Sequence, residues 1–156
     1  MQELAFAEKR SNTDVTATSE AAADTVVTAP AISTDGSTVV TIEFGTTAFG
    51  QTSTTPVNRL VLFEDGVAIG TLWAARSPGT STGRPGFTCF RRMTPTAGTH
   101  VYSVRGWVSS ASTWTIAGGV NWPGAGVDKP AYIRIVRLAD APAGPALQLV
   151  RSNQQW

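Results

Sequence analysis

The sequence predicts an all-β fold, an antiparallel β-sandwich of about eight or nine strands, and three observations predict it. Ser and Thr fill 34 of 156 positions while charged residues make up only 15%, against about a quarter in a typical chain. A Thr-rich, Gly-rich, charge-poor chain suits strands and turns. Apolar residues then alternate with a period of two in several segments, as they do when one face of a strand is buried and the other wet. Helix signals, finally, are nearly missing. The best is Glu20–Asp24, about one turn long and too short to bury an amphipathic face.

Strands are expected near Asp14–Thr18, Thr25–Ala29, Val39–Phe44, Arg59–Glu64, Val67–Ala74, Phe87–Met93, His100–Val108, Thr113–Ala117 and Ala131–Leu138. The alternation is clearest in three of them. Val40, Ile42 and Phe44 oppose Thr41 and Glu43; Tyr102, Val104 and Val108 oppose Ser103 and Arg105; Ile133 and Ile135 oppose Arg134. Arg59-Leu-Val-Leu-Phe63 is apolar on both faces, so it is expected to be central, or to meet a partner subunit as well as the core. Asp65-Gly66 supplies the positive φ angles of a tight hairpin. Asp35-Gly36-Ser37 and Pro95–Gly98 are expected turns. Gly45–Val57, Arg76–Gly86 and Gly118–Pro130 are expected surface loops. Residues 1–13 are polar and unpatterned and are expected to form an N-terminal arm. Residues 14–138 would form the sandwich, and 139–156 a C-terminal arm.

Charge and cysteine content exclude several classes of function. A formal charge of +1 leaves no footprint for nucleic acid or an anionic membrane. The single cysteine, Cys89, makes neither an intrachain disulfide nor a metal site. No apolar run follows the first ten residues, so synthesis in a cytoplasm without a signal peptide is expected, and no segment is uniform enough for membrane insertion.

The order of segments carries a resemblance. Ala23–Pro30, Ser37–Phe44, and Leu60–Gly66 followed by Ile69-Gly70 form its first half. Arg91-Arg92, Thr94-Pro-Thr-Ala-Gly-Thr-His-Val-Tyr-Ser-Val-Arg105 and Pro130-Ala-Tyr-Ile-Arg-Ile-Val-Arg137 form its second. The chain resembles a group of short jelly-roll virion structural proteins of tailed phages, especially actinobacteriophages, similar to the C1q/TNF-type sandwich that usually trimerises. The match runs from about Leu4 to Leu138; the tail beyond departs from the pattern. The resemblance implies a non-enzymatic virion structural protein and does not say capsid or tail; a decoration protein on the capsid exterior is the expectation because small all-β trimers with binding arms suit repeated lattice sites. Its partners would be itself, as a homotrimer, and the major capsid protein or a tail protein of the same virion. The alternative it leaves open is a minor tail protein with the same fold that binds a host receptor or surface glycan.

The search for chemistry yields little. His100 is the only histidine, at a strand start beside a turn, with no triad-like neighbours in sequence. Cys89 would need a base or cation to become a reactive thiolate, and Arg91 is the candidate on its strand face. Glu43, Glu64, Asp65, Asp128 and Asp140 are scattered. Neither a calcium loop nor a zinc-ligand cluster is present, and the glycines at 118, 119, 124 and 126 lack a phosphate-loop lysine. No catalytic residue, metal or cofactor is therefore expected. The five tryptophans are more informative. Trp73, Trp107 and above all Trp122 are candidates for glycan stacking, although core or subunit interface is the simpler role for a large aromatic. Trp156, with Leu147 and Leu149, is the candidate anchor of the C-terminal arm.

Overall fold

The computed structural model describes residues 1–51, 56–76, 81–118 and 130–137, with the backbone alone for 81–84. Twelve strands follow one another: β1 (Gln2–Lys9), β2 (Thr13–Val15), β3 (Asp24–Thr28), β4 (Ile32–Asp35), β5 (Val40–Gln51), β6 (Val57–Glu64), β7 (Val67–Arg76), β8 (Ser81–Met93), β9 (Ala97–His100), β10 (Tyr102–Val108), β11 (Trp114–Ile116) and β12 (Ala131–Arg137). A single 3-10 turn at Glu20–Ala22 stands where the short helical signal was.

A six-stranded antiparallel sheet runs β1-β12-β5-β11-β2, with β8 on the other side of β5; a four-stranded sheet runs β3-β10-β6-β7; β4 and β9 make a ribbon. Setting aside the four short strands β2, β4, β9 and β11, the remaining eight can be counted in chain order. The two sheets then read 1-8-3-6 and 2-7-4-5. Each layer interleaves the two halves of the chain, and this is the jelly roll, with its two superimposed Greek keys.

The alternation that predicted the sandwich builds its core. Ile42, Phe44, Ile133 and Ile135 from the larger sheet meet Leu60, Leu62, Tyr102 and Val104 from the smaller one, all fully buried. Each such side chain contributes roughly 1.5–3 kcal/mol by leaving water. The Asp65-Gly66 turn is a two-residue loop between Glu64 and Val67, with φ of 51° and 85° at its two central residues. That pair of positive angles matches the twist of the flanking strands.

Several elements differ from expectation. The segment expected as an N-terminal arm contains β1, which pairs with β12 from Gln2↔Arg137 to Lys9↔Ala131. Its inward residues are the small Ala5 and Ala7, opposite Ile135 and Ile133, while Phe6 points outward, so its apolar signal is inverted. Gly45–Gln51, read as loop, continues β5 and pairs with β8, which itself starts at Ser81 rather than Phe87. Pro85 is tolerated there because β8 is an edge strand. The ribbon β4–β9 was not foreseen. Leu138 and residues 139–156 lie outside the described residues, as do 119–129 of the third expected loop.

Candidate functional site

The outer faces of the two sheets are the first places to look. On the four-stranded sheet, Val61 and Phe63 of β6 point away from the core yet are buried, with Ala23, Ala68 and Trp107 packed around them. Two arginines from the same face close the cover. The Arg59 guanidinium lies 4.8 Å from the Trp107 ring centroid, and that of Arg105 lies 4.2 Å from Phe63. The second apolar face of Arg59–Phe63 is therefore covered within the chain, and β6 is central in its sheet, between β10 and β7, the first of the two expected arrangements.

The six-stranded sheet is different. Phe6 on β1 and Phe90 on β8 are 43% and 66% exposed. Between them Tyr132 of β12 stacks on Phe6 at 6.0 Å and donates from Oη to Glu43 Oε1 at 2.5 Å. Its ring lies flat across Gly45, where an added Cβ would fall 2.4 Å from the ring. Gly45 thus sits mid-strand because an aromatic ring occupies the space a side chain would take. Arg134, in register with Phe6 on one side and Glu43 on the other, pairs with Glu3 at 2.9 Å. This face thus carries two exposed phenylalanines, on β1 and β8, with the charged Arg134 and Glu43 in register between them.

The tryptophans separate in the same way. Trp73 stacks on Phe87 at 4.5 Å and on Trp114 at 5.5 Å, with Phe49 edge-on to all three. Phe87 and Trp114 make no ring contact with each other, so Trp73 is the middle of a slab whose inner member, Trp114, is fully buried. Trp107 is half-buried with Arg59 over its ring. Trp73 therefore has no free face for sugar stacking, and Trp107 has Arg59 over one of its faces. Trp122, Trp156, Leu147, Leu149, Asp128 and Asp140 lie outside the described residues.

His100 has the neighbours that its sequence position did not reveal. The β6–β7 turn and the start of β10 bring Glu64, Asp65 and Tyr102 to it. His100 Nδ1 is 2.9 Å from Asp65 Oδ2 and 3.4 Å from Glu64 Oε1. Nε2 is 3.1 Å from the Thr96 carbonyl and 3.3 Å from Thr96 Oγ1. Thr96, His100 and Asp65 thus line up as a hydroxyl, an imidazole and a carboxylate. A general base needs an unprotonated Nε2 facing the hydroxyl. Here the nearer partner of Nε2 is the Thr96 carbonyl, which only accepts, and Nδ1 faces a carboxylate. The carbonyl and the carboxylate are satisfied together only when both nitrogens donate, in the imidazolium, whereas a neutral ring would keep its N–H on Asp65 and accept from the Thr96 hydroxyl. The hydrogen bond to Asp65 accordingly raises the His100 pKa, and the carboxyl of Asp65 is lowered, first by the Val101 N–H and then by His100.

Cys89 is buried, and its thiol is pushed up to about 12 by desolvation and then by Glu43. Arg91, its candidate activator, directs Nη1 to the Ile69 carbonyl at 2.6 Å instead. The arrangement describes an inert thiol. Among the described residues no three His, Cys, Asp or Glu side chains gather as a metal site. None of the helices there is long and apolar enough to cross a membrane.

Signals for the exposed aromatics of this face were present but dispersed. Phe6, Phe90 and Tyr132 come from distant segments, and only the β1–β12–β5–β8 register places them on one face. No protein-family description matches the chain, and no curated protein matches it. Among solved structures it is similar to the Eiger TNF of S. frugiperda, at 14% identity and a TM-score of 0.49, over 96% of this chain and 100% of that one. The jelly-roll assignment rests on the strand order itself.

Proposed function

We propose that this chain is a structural protein of a phage virion, a decoration protein on the capsid exterior that assembles as a homotrimer through the outer face of its six-stranded sheet. The observation that carries self-assembly is the pair of exposed phenylalanines, Phe6 and Phe90, on one sheet face, with Tyr132 stacked half-buried on Phe6. Large aromatics left in water and interleaved with Arg134 and Glu43 offer apolar and charged contacts to a second copy. The placement on a virion is supported by the resemblance of Thr94–Arg105 and Pro130–Arg137 to phage jelly-roll proteins. With β1 built into the sheet, the anchoring role falls to residues 139–156, with Trp156, Leu147 and Leu149 as the groups that would hold a neighbouring subunit. The alternative, a tail-associated module that binds a receptor or carbohydrate, would rely on Trp122 and Trp107, since both faces of Trp73 are covered.

Light scattering at micromolar concentration tests the assembly. A mass about three times the 16.4 kDa of the chain is expected; a monomer would overturn it. Imaging of virions carrying the labelled protein tests the location, and a signal confined to the tail would favour the alternative.

A further inference from the structure

We propose that His100 is a pH-operated clasp, closed while its imidazole carries a proton and loosened when that proton leaves, which holds the β6–β7 hairpin tip against the corner between β9 and β10. The geometry gives the clasp its parts. Asp65 at the tip accepts from the Val101 N–H through Oδ1 at 2.8 Å and meets His100 Nδ1 through Oδ2. Its own N–H donates to the Val101 carbonyl at 2.9 Å. Glu64, one residue earlier, takes the Tyr102 hydroxyl at 2.6 Å and lies near the same Nδ1. The charged or titratable groups at this corner are thus Glu64 and Asp65 from the hairpin, Tyr102 from β10 and His100 itself. The facing ribbon strand β4 brings the uncharged Ile32 opposite His100.

Two adjacent carboxylates converge on one imidazole, so its positive charge offsets their mutual repulsion. A neutral imidazole has a single N–H and cannot donate to Asp65 and to the Thr96 carbonyl at once. Losing the proton therefore gives up the bond to the Thr96 carbonyl, with the Thr96 hydroxyl at 3.3 Å as the donor left to Nε2, and leaves Glu64 and Asp65 around Nδ1 without a cation. The sign follows from the raised pKa of the folded state. The clasp contributes fully below the ordinary histidine value of 6.5 and is lost as pH rises through the higher folded value. Histidine is the side chain whose ordinary pKa permits such a change near neutrality.

The test uses the intact chain, whose single imidazole gives an unambiguous NMR signal. His100 is expected to titrate above 6.5. Amide exchange at Asp65 and Val101, corrected for its intrinsic pH dependence, is expected to accelerate across the same midpoint. The gain is about tenfold for each unit by which the folded pKa exceeds the ordinary value. A midpoint at or below 6.5, or protection of both amides that is the same on either side of it, overturns the proposal. In H100Q the step in exchange disappears. Should H100Q fail to fold, D65N decides, because Asn suits this positive-φ turn position. Its His100 midpoint must fall below that of the parent, and an unchanged midpoint counts against the clasp.

Discussion

The two sheets bury their inner faces alike and treat their outer faces in opposite ways. On the four-stranded sheet Val61 and Phe63 are closed over by Ala23, Ala68 and Trp107, with Arg59 and Arg105 laid on aromatic rings. On the six-stranded sheet Phe6 and Phe90 stay in water and Tyr132 lies half-buried between them. The difference teaches that an outward apolar residue is not by itself a sign of a partner. Long cationic side chains can bury their stems and place their charge over a ring, making a sheet face complete within one chain. Only the face without that cover has surface to offer.

Three substitutions break or sharpen the contrast. The largest effect is expected from Phe63→Ala on the self-covered face, a loss of about 3–5 kcal/mol in denaturant unfolding, because a buried aromatic is removed beneath its arginine. A loss under about 0.5 kcal/mol, typical of surface positions, would show that Phe63 is not truly enclosed. Gly45→Val on the open face should cost about 1–3 kcal/mol by overpacking, since Tyr132 must leave its place across the strand. Near-UV circular dichroism of the displaced tyrosine would report the change, and an unaltered spectrum would contradict the packing. Phe90→Ser should change the stability of the single chain by less than about 0.5 kcal/mol yet shift the assembly toward monomer in light scattering. Unchanged mass would place the interface elsewhere.

What could be read from the sequence follows the same division between inside and outside. Val40–Phe44, Tyr102–Val108 and Ala131–Arg137 were legible because their inward residues are large and their outward ones polar. The Asp65-Gly66 hairpin was legible because its backbone angles demand those residues. The strand β1 was not, since alanines face inward and a phenylalanine outward. The beginning of β8 was hidden by Pro85, which an edge position accommodates, and by Gly86, which the close approach of the Thr46 carbonyl requires. The surroundings of His100 were illegible for another reason. Asp65 lies 35 residues away, and its place in a turn already seemed to account for it. Nothing in a linear pattern says that one carboxylate serves both a turn and an imidazole.

The pairing of β1 with β12 has a consequence for how the molecule comes into being. The first and last strands described are hydrogen-bonded neighbours, joined by contacts such as Arg134 Nε to Glu3 Oε2 across 131 positions of sequence. While the chain is still emerging from the ribosome, Gln2–Lys9 has no strand to join, and the flank of Val40–Gly45 that receives residues 132–137 stays open. Sheet closure therefore waits until residues 131–137 have emerged, and it carries a large loop-closure entropy, which makes for slow folding. A nascent or truncated chain ending before Ala131 would present a strand-wide slot in the middle of its larger sheet, open to any extended segment able to fill it.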